Sequence, residues 1–246
     1  MRGVALTLAV LMMLSFLALV YESRIRTLCC ARKVHLLELR LARLYRISTN
    51  LKGVIYYNAL RLIYSDPDYL LDSPKYMRTL RSAVDVLCSA FARMYSIRAS
   101  CKILSLKGPF ELNDVPSAYV GASGYVKGAT CYQVCINLTL SDKYVWVTRS
   151  ECFLLCHPIR YFAIKRAFNL AIEEAMEEGC CSEGYIRSYI EGILGDVEIL
   201  AMNVSAVNNC LTVLAVVRDY KAEELGIWSP SSCIVKINVT RCRLKE

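Results

Sequence analysis

The stretch VALTLAVLMMLSFLALV occupies residues 4–20 and contains no charged side chain. It follows Met1-Arg2-Gly3 and precedes the polar sequence YESR at residues 21–24. As an α-helix it would extend about 26 Å, which is near the lower limit for crossing the hydrocarbon core of a membrane. The sequence therefore predicts an N-terminal leader or transmembrane segment at residues 1–21.

Three outcomes are open for this segment. It could stay as an uncleaved signal-anchor, be processed within its short basic leader, or be removed as a secretory signal peptide. Removal requires small residues just before the cut, and the best candidates, Ala18 and Val20, end on a poorly suited valine. We therefore expect a retained membrane helix.

Residues 22–66 are predicted to continue this helix as an amphipathic juxtamembrane segment. A four-three spacing places one set of mostly apolar residues on a single seam: Cys30, Val34, Leu37, Leu41, Leu44, Ser48, Leu51, Ile55, Asn58 and Leu62. The polar seam residues Ser48 and Asn58, with Gly53 between them, predict a bend or a helix–helix joint. The seam packs either on the protein's own domain or, over residues 22–64, against other subunits of a homo- or hetero-oligomer.

The N-terminus resembles that of type IV pilin-like proteins. Arg2-Gly3 directly before a long apolar run is similar to their short basic leader, although Leu8 stands where the bacterial pattern has Glu. The resemblance covers roughly the first fifty residues. It implies cleavage between Gly3 and Val4, a mature N-terminal helix in the membrane, and a role as a filament subunit.

Thirteen cysteines suggest an oxidising compartment, because reduced cytosolic proteins rarely contain so many. We expect disulfides among the later cysteines, namely Cys131, Cys135, Cys152, Cys156, Cys180, Cys181, Cys210, Cys233 and Cys242. A zinc site at Cys131, Cys135, Cys152 and Cys156 is the alternative, but three intervening residues per pair on predicted strands suit zinc poorly. We therefore expect neither a metal nor another cofactor.

Three Asn-X-Ser/Thr sequences give mild support to an extracytoplasmic location if the host glycosylates. The candidate acceptors are Asn137, Asn203 and Asn238. Chance would supply one or two such sequences in a chain of this length, so they only add to the cysteine argument.

The charge distribution is uneven along the chain. Residues 1–100 contain 15 Lys/Arg and 6 Asp/Glu, a net charge of +9, whereas residues 101–246 contain 15 and 16, a net charge of −1. The positive-inside rule would place the domain in the cytoplasm, because most of the basic residues follow the apolar run. The cysteines and sequons favour the opposite side. The near-neutral C-terminal part predicts no nucleic-acid binding.

The remaining chain predicts an α+β fold with an antiparallel sheet and packed helices. Two units, 67–156 and 157–246, have a similar order of elements and suggest a degenerate α-β-β-β duplication. The predicted elements are a helix from Ser73 through Tyr95, a strand at 100–106, a hairpin of 130–140 and 143–155, a helix starting at His157-Pro158, a helix capped by Ser182, a hairpin of 196–207 and 210–219, and a strand at 233–244.

Residues 107–128 are predicted to form a long glycine-rich loop. A connection of this length is either mobile or functional. Phe110, Tyr119 and Tyr125 would give this loop an aromatic surface, so these three residues are candidates for binding a ligand.

No catalytic motif is present in the sequence. The two histidines, His35 and His157, are far apart in the chain, and a cysteine nucleophile would need to lie beside His157. We expect a non-enzymatic, membrane-anchored structural or adhesive protein at the cell surface, such as a pilin-like filament subunit. The alternative is an anchored receptor or binding module that uses residues 107–128.

Overall fold

The computed structural model describes residues 2–113, 115–116, 125–224 and 233–242, without the side chains of residues 2–11, 67, 116, 125 and 126. The protein has an α+β fold with a long N-terminal helix and two three-stranded antiparallel sheets. The helices are α1 (Arg2–Ser65), a short 3-10 helix (Pro67–Leu70), α2 (Ser73–Tyr95), α3 (Tyr161–Glu178), α4 (Glu183–Ile193) and α5 (Tyr220–Glu223). The strands are β1 (Arg98–Leu112), β2 (Val115–Pro116), β3 (Tyr125–Val126), β4 (Ala129–Ser141), β5 (Trp146–His157), β6 (Val197–Val207), β7 (Cys210–Asp219) and β8 (Ile234–Cys242).

Helix α1 is one continuous element of 64 residues, and the predicted bend or helix–helix joint near Gly53 stays a prediction. Its C-terminal part packs on the domain through Leu44, Ile47, Ser48, Leu51, Ile55, Ala59 and Ile63. Of the predicted seam residues, Leu44, Ser48, Leu51 and Ile55 pack on the domain, whereas Cys30, Val34, Leu37 and Leu41 are exposed. After Ile55 the buried positions shift by one residue, from Asn58 and Leu62 to Ala59 and Ile63. The reason is that a straight helix drifts by about 20° per heptad from a strict seven-residue repeat.

The first sheet has the order β1-β4-β5, and α1 and α2 cover one of its faces. Strand β4 contributes Tyr132, Val134, Ile136, Leu138 and Leu140 to the core. Helix α2 has the predicted bounds, but its N-cap is Asp72, whose carboxylate accepts a hydrogen bond from the backbone N–H of Lys75 at 2.7 Å. Ser73 is therefore the first helical residue.

The second sheet has the order β6-β7-β8, and α3 and α4 cover its inner face. The predicted hairpin around Asn208-Asn209 is confirmed, since both residues have positive φ angles of 51° and 59° and join Val207 to Cys210. Ser182 caps α4 as predicted by accepting a hydrogen bond from the backbone N–H of Tyr185.

Helical segments followed by the strands of a three-stranded antiparallel sheet thus occur twice in the chain, although β2 and β3 come between β1 and β4 in the first unit. One hydrophobic core nevertheless runs through both units and contains buried residues from α1, α2, α3, α4 and both sheets. The duplication itself stays a prediction. In the part of the chain that the structure describes, no helix is long and apolar enough to cross a membrane.

Candidate functional site

Two disulfides link the facing strands of the β4–β5 hairpin. Cys131 lies opposite Cys156 and Cys135 opposite Cys152, with Cα–Cα distances of 4.1 and 4.0 Å. Directly opposed residues approach this closely only at positions of an antiparallel ladder that are not hydrogen-bonded to each other. All four thiols of the zinc alternative are therefore used in disulfides.

Two more disulfides tie other parts of the domain together. Cys88 of α2 is bonded to Cys101 of β1, and Cys210 of β7 is bonded to Cys242 of β8. Cys88 and Cys101 are not among the cysteines that the sequence predicts to form disulfides. Disulfides of this number suggest an oxidising, extracellular environment.

Three of the predicted disulfide cysteines are not among the eight bridged ones. Cys180 and Cys181 are exposed in the short connection between α3 and α4, and Cys233 is buried. Cys29 and Cys30 are exposed on α1. Adjacent cysteines such as these pairs point in different directions on a helix or loop and cannot both face one partner.

The three candidate glycosylation sites differ in accessibility. Asn137 is half-buried on β4, where its side chain accepts a hydrogen bond from the Ser150 hydroxyl at 3.2 Å. Asn203 on β6 and Asn238 on β8 are exposed, and they lie on either side of Leu214 in one row across the second sheet. The two exposed asparagines thus share the outer face of that sheet.

This outer face forms one wall of a cavity of about 560 Å³. Leu71 and Tyr161 also line the cavity, and Leu214, 48% exposed, lies between the two asparagines. Lys236 crosses the gap, and its ammonium group donates a hydrogen bond to the Asp68 carboxylate at 3.1 Å. The cavity therefore has an apolar floor with carboxamide groups beside it.

The predicted binding loop is shorter than the sequence suggests. Residues 107–112 continue β1 and pair with β4, so the prediction of a loop across 107–128 is wrong for these six residues. A register shift between Lys107 and Phe110 accommodates Gly108-Pro109 within the strand, which is why the glycine and proline did not end it. Phe110 is half-buried near Val115 and the Cys131–Cys156 disulfide. Tyr119 and the side chain of Tyr125 lie outside the described residues.

Charged contacts hold α1 on the first sheet. Lys52 of α1 and Arg149 of β5 both pair with Glu151, and Arg40 lies 3.5 Å from the Asp142 carboxylate in the β4–β5 turn. The backbone N–H groups of Tyr144 and Val145 lower the pKa of Asp142, and the charge of Arg40 adds to this effect. The helix is therefore fixed in orientation from Arg40 to its C-terminal end.

The N-terminal part of α1 projects away from the domain. From Met12 to Arg43 no described side chain is buried, and the first buried residue is Leu44. Large apolar residues are exposed along this segment, among them Met12 at 70%, Phe16 at 67% and Leu28 at 69%. The candidate processing site is Gly3-Val4, and the side chain of Val4 lies outside the described part.

The structure does not bring a cysteine nucleophile and a histidine base together at Cys152, Cys156 and His157. Both cysteines are in disulfides, and His157 is fully buried at the end of β5, where its ring lies 4.4 Å from that of Tyr64. His157 was predicted to begin a helix, but α3 starts at Tyr161 after Pro158. The Nδ1 atom of His157 accepts the backbone N–H of Ile159 at 3.1 Å, which shapes this connection.

A buried ion pair joins the start of α3 to the end of β7. Arg160 donates to the fully buried Asp219 carboxylate from its backbone N–H and from its guanidinium, with a shortest distance of 2.6 Å. Burial opposes the charge of Arg160, but its bonds to Asp219 and the charge of Asp196 outweigh this and raise its pKa.

Comparison of the chain with protein-family models, with curated proteins and with solved structures gives no match. Functional conclusions for this protein therefore depend on its own residues and their geometry.

Proposed function

We propose that the protein is a membrane-anchored structural or adhesive protein whose α+β domain lies outside the cytoplasm. The observation that carries the proposal is the projecting part of α1, a helix that leaves the domain at Leu44 with large apolar side chains exposed. At about 1.5 Å per residue, residues 2–39 extend about 57 Å beyond the contact of Arg40 with Asp142 on the domain. The large apolar side chains exposed along residues 12–20 would promote aggregation of an isolated soluble domain, so this end of the helix needs a lipid or protein environment.

Four disulfides support the extracytoplasmic side of the proposal. They are distributed over both sheets and α2, so the whole domain would lose cross-links in a reducing compartment. The pilin-like filament subunit is the specific form that we propose, because a helix that is half embedded and half packed on a disulfide-bonded domain suits assembly through the helix.

Membrane fractionation of point variants tests the anchor. Met12→Arg should move the protein from the membrane to the soluble or aggregated fraction, because an arginine at the centre of the apolar run 4–20 costs about 2.5–3.5 kcal/mol in helix insertion. Met12→Ala is the matched control and should stay in the membrane fraction. Equal distribution of the two variants after an alkaline wash would contradict the anchor.

Mass spectrometry of the mature N-terminus tests the pilin-like form separately. A chain that begins at Val4 supports processing after Gly3, as the leader resemblance implies. A chain that begins at Met1 or Arg2 removes the pilin-like form and leaves the simple anchor.

An anchored binding module is the second candidate, and the cavity of about 560 Å³ on the second sheet favours it. Its apolar floor at Leu214 and the carboxamides of Asn203 and Asn238 match the apolar ring faces and hydroxyls of neutral sugars. A panel of neutral mono- and disaccharides should raise the melting temperature of the wild type but not of Leu214→Arg. No shift with the wild type would count against this candidate.

A further inference from the structure

Strand β6 forms an edge of the second sheet, and its free side is not paired with any described strand. Its regular part, from Ala201 to Val207, has the sequence AMNVSAV, without charge, glycine or proline. Natural proteins usually protect such edges with lysine, proline or a bulge, because an unpaired strand readily joins another one. β6 has a register shift between Ile199 and Ala201, where Arg187 also donates to the Ile199 carbonyl at 2.7 Å, so only its start is protected.

The hairpin geometry identifies which backbone groups face outwards. Val207 and Cys210 flank a two-residue turn and therefore form a hydrogen-bonded pair. Since hydrogen-bonded and non-hydrogen-bonded pairs alternate along an antiparallel ladder, Met202, Val204 and Ala206 direct their backbone N–H and C=O groups away from β7. These three residues present a regular set of donors and acceptors at the edge.

The other sheet edges are less suitable for pairing. β1 carries Arg98, Lys102, Lys107 and Glu111, β5 carries Arg149 and Glu151, and β8 carries Lys236 and Arg241. Like charges brought face to face destabilise strand pairs, so these strands would resist pairing with themselves. An uncharged strand has no such cost, which favours a second copy as the partner.

We infer that β6 pairs antiparallel with β6 of a second copy about a two-fold axis at Val204, which joins the two sheets into one of six strands. In this register Met202 faces the second copy's Ala206, and Val204 faces the second copy's Val204. All three outward-facing residues then exchange their backbone hydrogen bonds with an outward-facing residue. The exposed side chain of Asn203 comes opposite the second copy's Ser205, with which it can form a hydrogen bond.

This contact is independent of the membrane anchor and of any contact through α1, because β6 belongs to the disulfide-bonded domain. Under the proposed function it would give the subunit a lateral contact in addition to its helix. If β6 does not pair with a second copy, the proposed membrane anchor is not affected. If the wild-type chain is found in the soluble fraction, the proposed β6 contact is not affected.

Hydrogen–deuterium exchange on the full chain in non-ionic detergent, at two widely different protein concentrations, tests the inference. The amides of Met202, Val204 and Ala206 should exchange about tenfold or more slowly at the higher concentration, because intermolecular bonds protect them. Ser205→Lys should abolish this difference by placing a charge on the edge.

Thr240→Lys is the matched control, since Thr240 lies in the same row as Ser205 and Thr212 but on the opposite edge strand, β8. It is exposed like Ser205 and also ends an Asn-X-Ser/Thr sequence, so both variants add a charge to an edge strand and remove one such sequence. Thr240→Lys also removes the hydrogen bond between the Thr240 and Thr212 hydroxyls, which are 3.0 Å apart. It should keep the concentration-dependent protection. Asn203→Lys serves as a second edge variant if Ser205→Lys folds poorly.

Three outcomes would overturn the inference. The first is exchange at these amides that does not depend on concentration. The second is protection that is lost equally in Ser205→Lys and Thr240→Lys. The third is protection already complete in a species that light scattering shows to be monomeric, which would mean that the chain itself covers the edge.

Discussion

Replacing Asp219 by Asn should destabilise the domain more than any other single polar change near the second sheet. Asp219 is fully buried and accepts hydrogen bonds from the backbone N–H of Arg160 and from its guanidinium. Removing one charge of a buried pair typically costs about 3–5 kcal/mol, because the remaining charge stays buried without compensation. Asp196 lies 3.2 Å from the same guanidinium and is half exposed, so we expect the lower end, about 3 kcal/mol.

Urea unfolding followed by far-UV circular dichroism, with the disulfides intact, measures this effect. With an m-value of about 2 kcal/mol/M, a loss of 3 kcal/mol lowers the midpoint by about 1.5 M. The matched control is Glu198→Gln, which removes the charge from the half-exposed pair with Arg218 on the neighbouring rung of the same two strands. Pairs that solvent reaches contribute about 0–1 kcal/mol, and Gln can still accept the hydrogen bond from the Tyr220 hydroxyl, so this control should shift the midpoint little.

The double variant Arg160→Met/Asp219→Asn completes the cycle. Because it removes both charges, it should be more stable than Asp219→Asn alone. The reasoning would be refuted if Asp219→Asn costs no more than Glu198→Gln, or if the double variant shows no recovery.

Three further outcomes follow from other contacts. Ser48→Ala should leave the free energy of unfolding unchanged or raise it by up to about 1 kcal/mol, since the buried Ser48 hydroxyl has no hydrogen-bond partner among the described residues. Leu51→Ala on the same face should cost about 2–5 kcal/mol in the same urea titration. Arg166 lowers the pKa of Glu111 mainly through its hydrogen bonds to the carboxylate. The pair therefore stabilises the fold at pH values above the ordinary glutamate pKa of about 4.3, and this stabilisation is lost as the pH falls through the lowered pKa of Glu111. Arg166→Met should lower the melting temperature at neutral pH and have the same melting temperature as the wild type in acid. Mild reduction followed by alkylation and peptide mapping should label the exposed Cys152 before the buried Cys131 and Cys156, and equal labelling rates would contradict the burial that the structure assigns to these cysteines.

Local sequence signals predicted helix α2 and the β6–β7 hairpin closely. Helix α2 has an apolar face with helical spacing and a proline in its first turn, and β6 and β7 alternate around Asn208-Asn209. These signals act over a few residues and need no information about the rest of the chain. They therefore allowed the bounds of α2 and the hairpin to be predicted closely.

Local patterns failed where a distant element decides the outcome. Gly108-Pro109 looks like a loop, yet β4 supplies pairing partners on both sides of it, so β1 runs on to Leu112. His157 precedes a proline, yet its ring packs on Tyr64 of α1 and it remains in β5. In both cases tertiary contacts outweigh a weak local preference.

The sequence by itself determined the class of this protein: a long N-terminal helix, an α+β domain, and cysteines suited to an oxidising environment. Periodicity, capping and composition are local or additive properties of the chain, so they can be evaluated from the sequence without the folded structure. Only the tertiary structure decided which cysteines pair, which part of α1 is buried, and that β6 has an uncharged free edge. Those features depend on strand register and on packing between residues far apart in the chain, which no local pattern specifies.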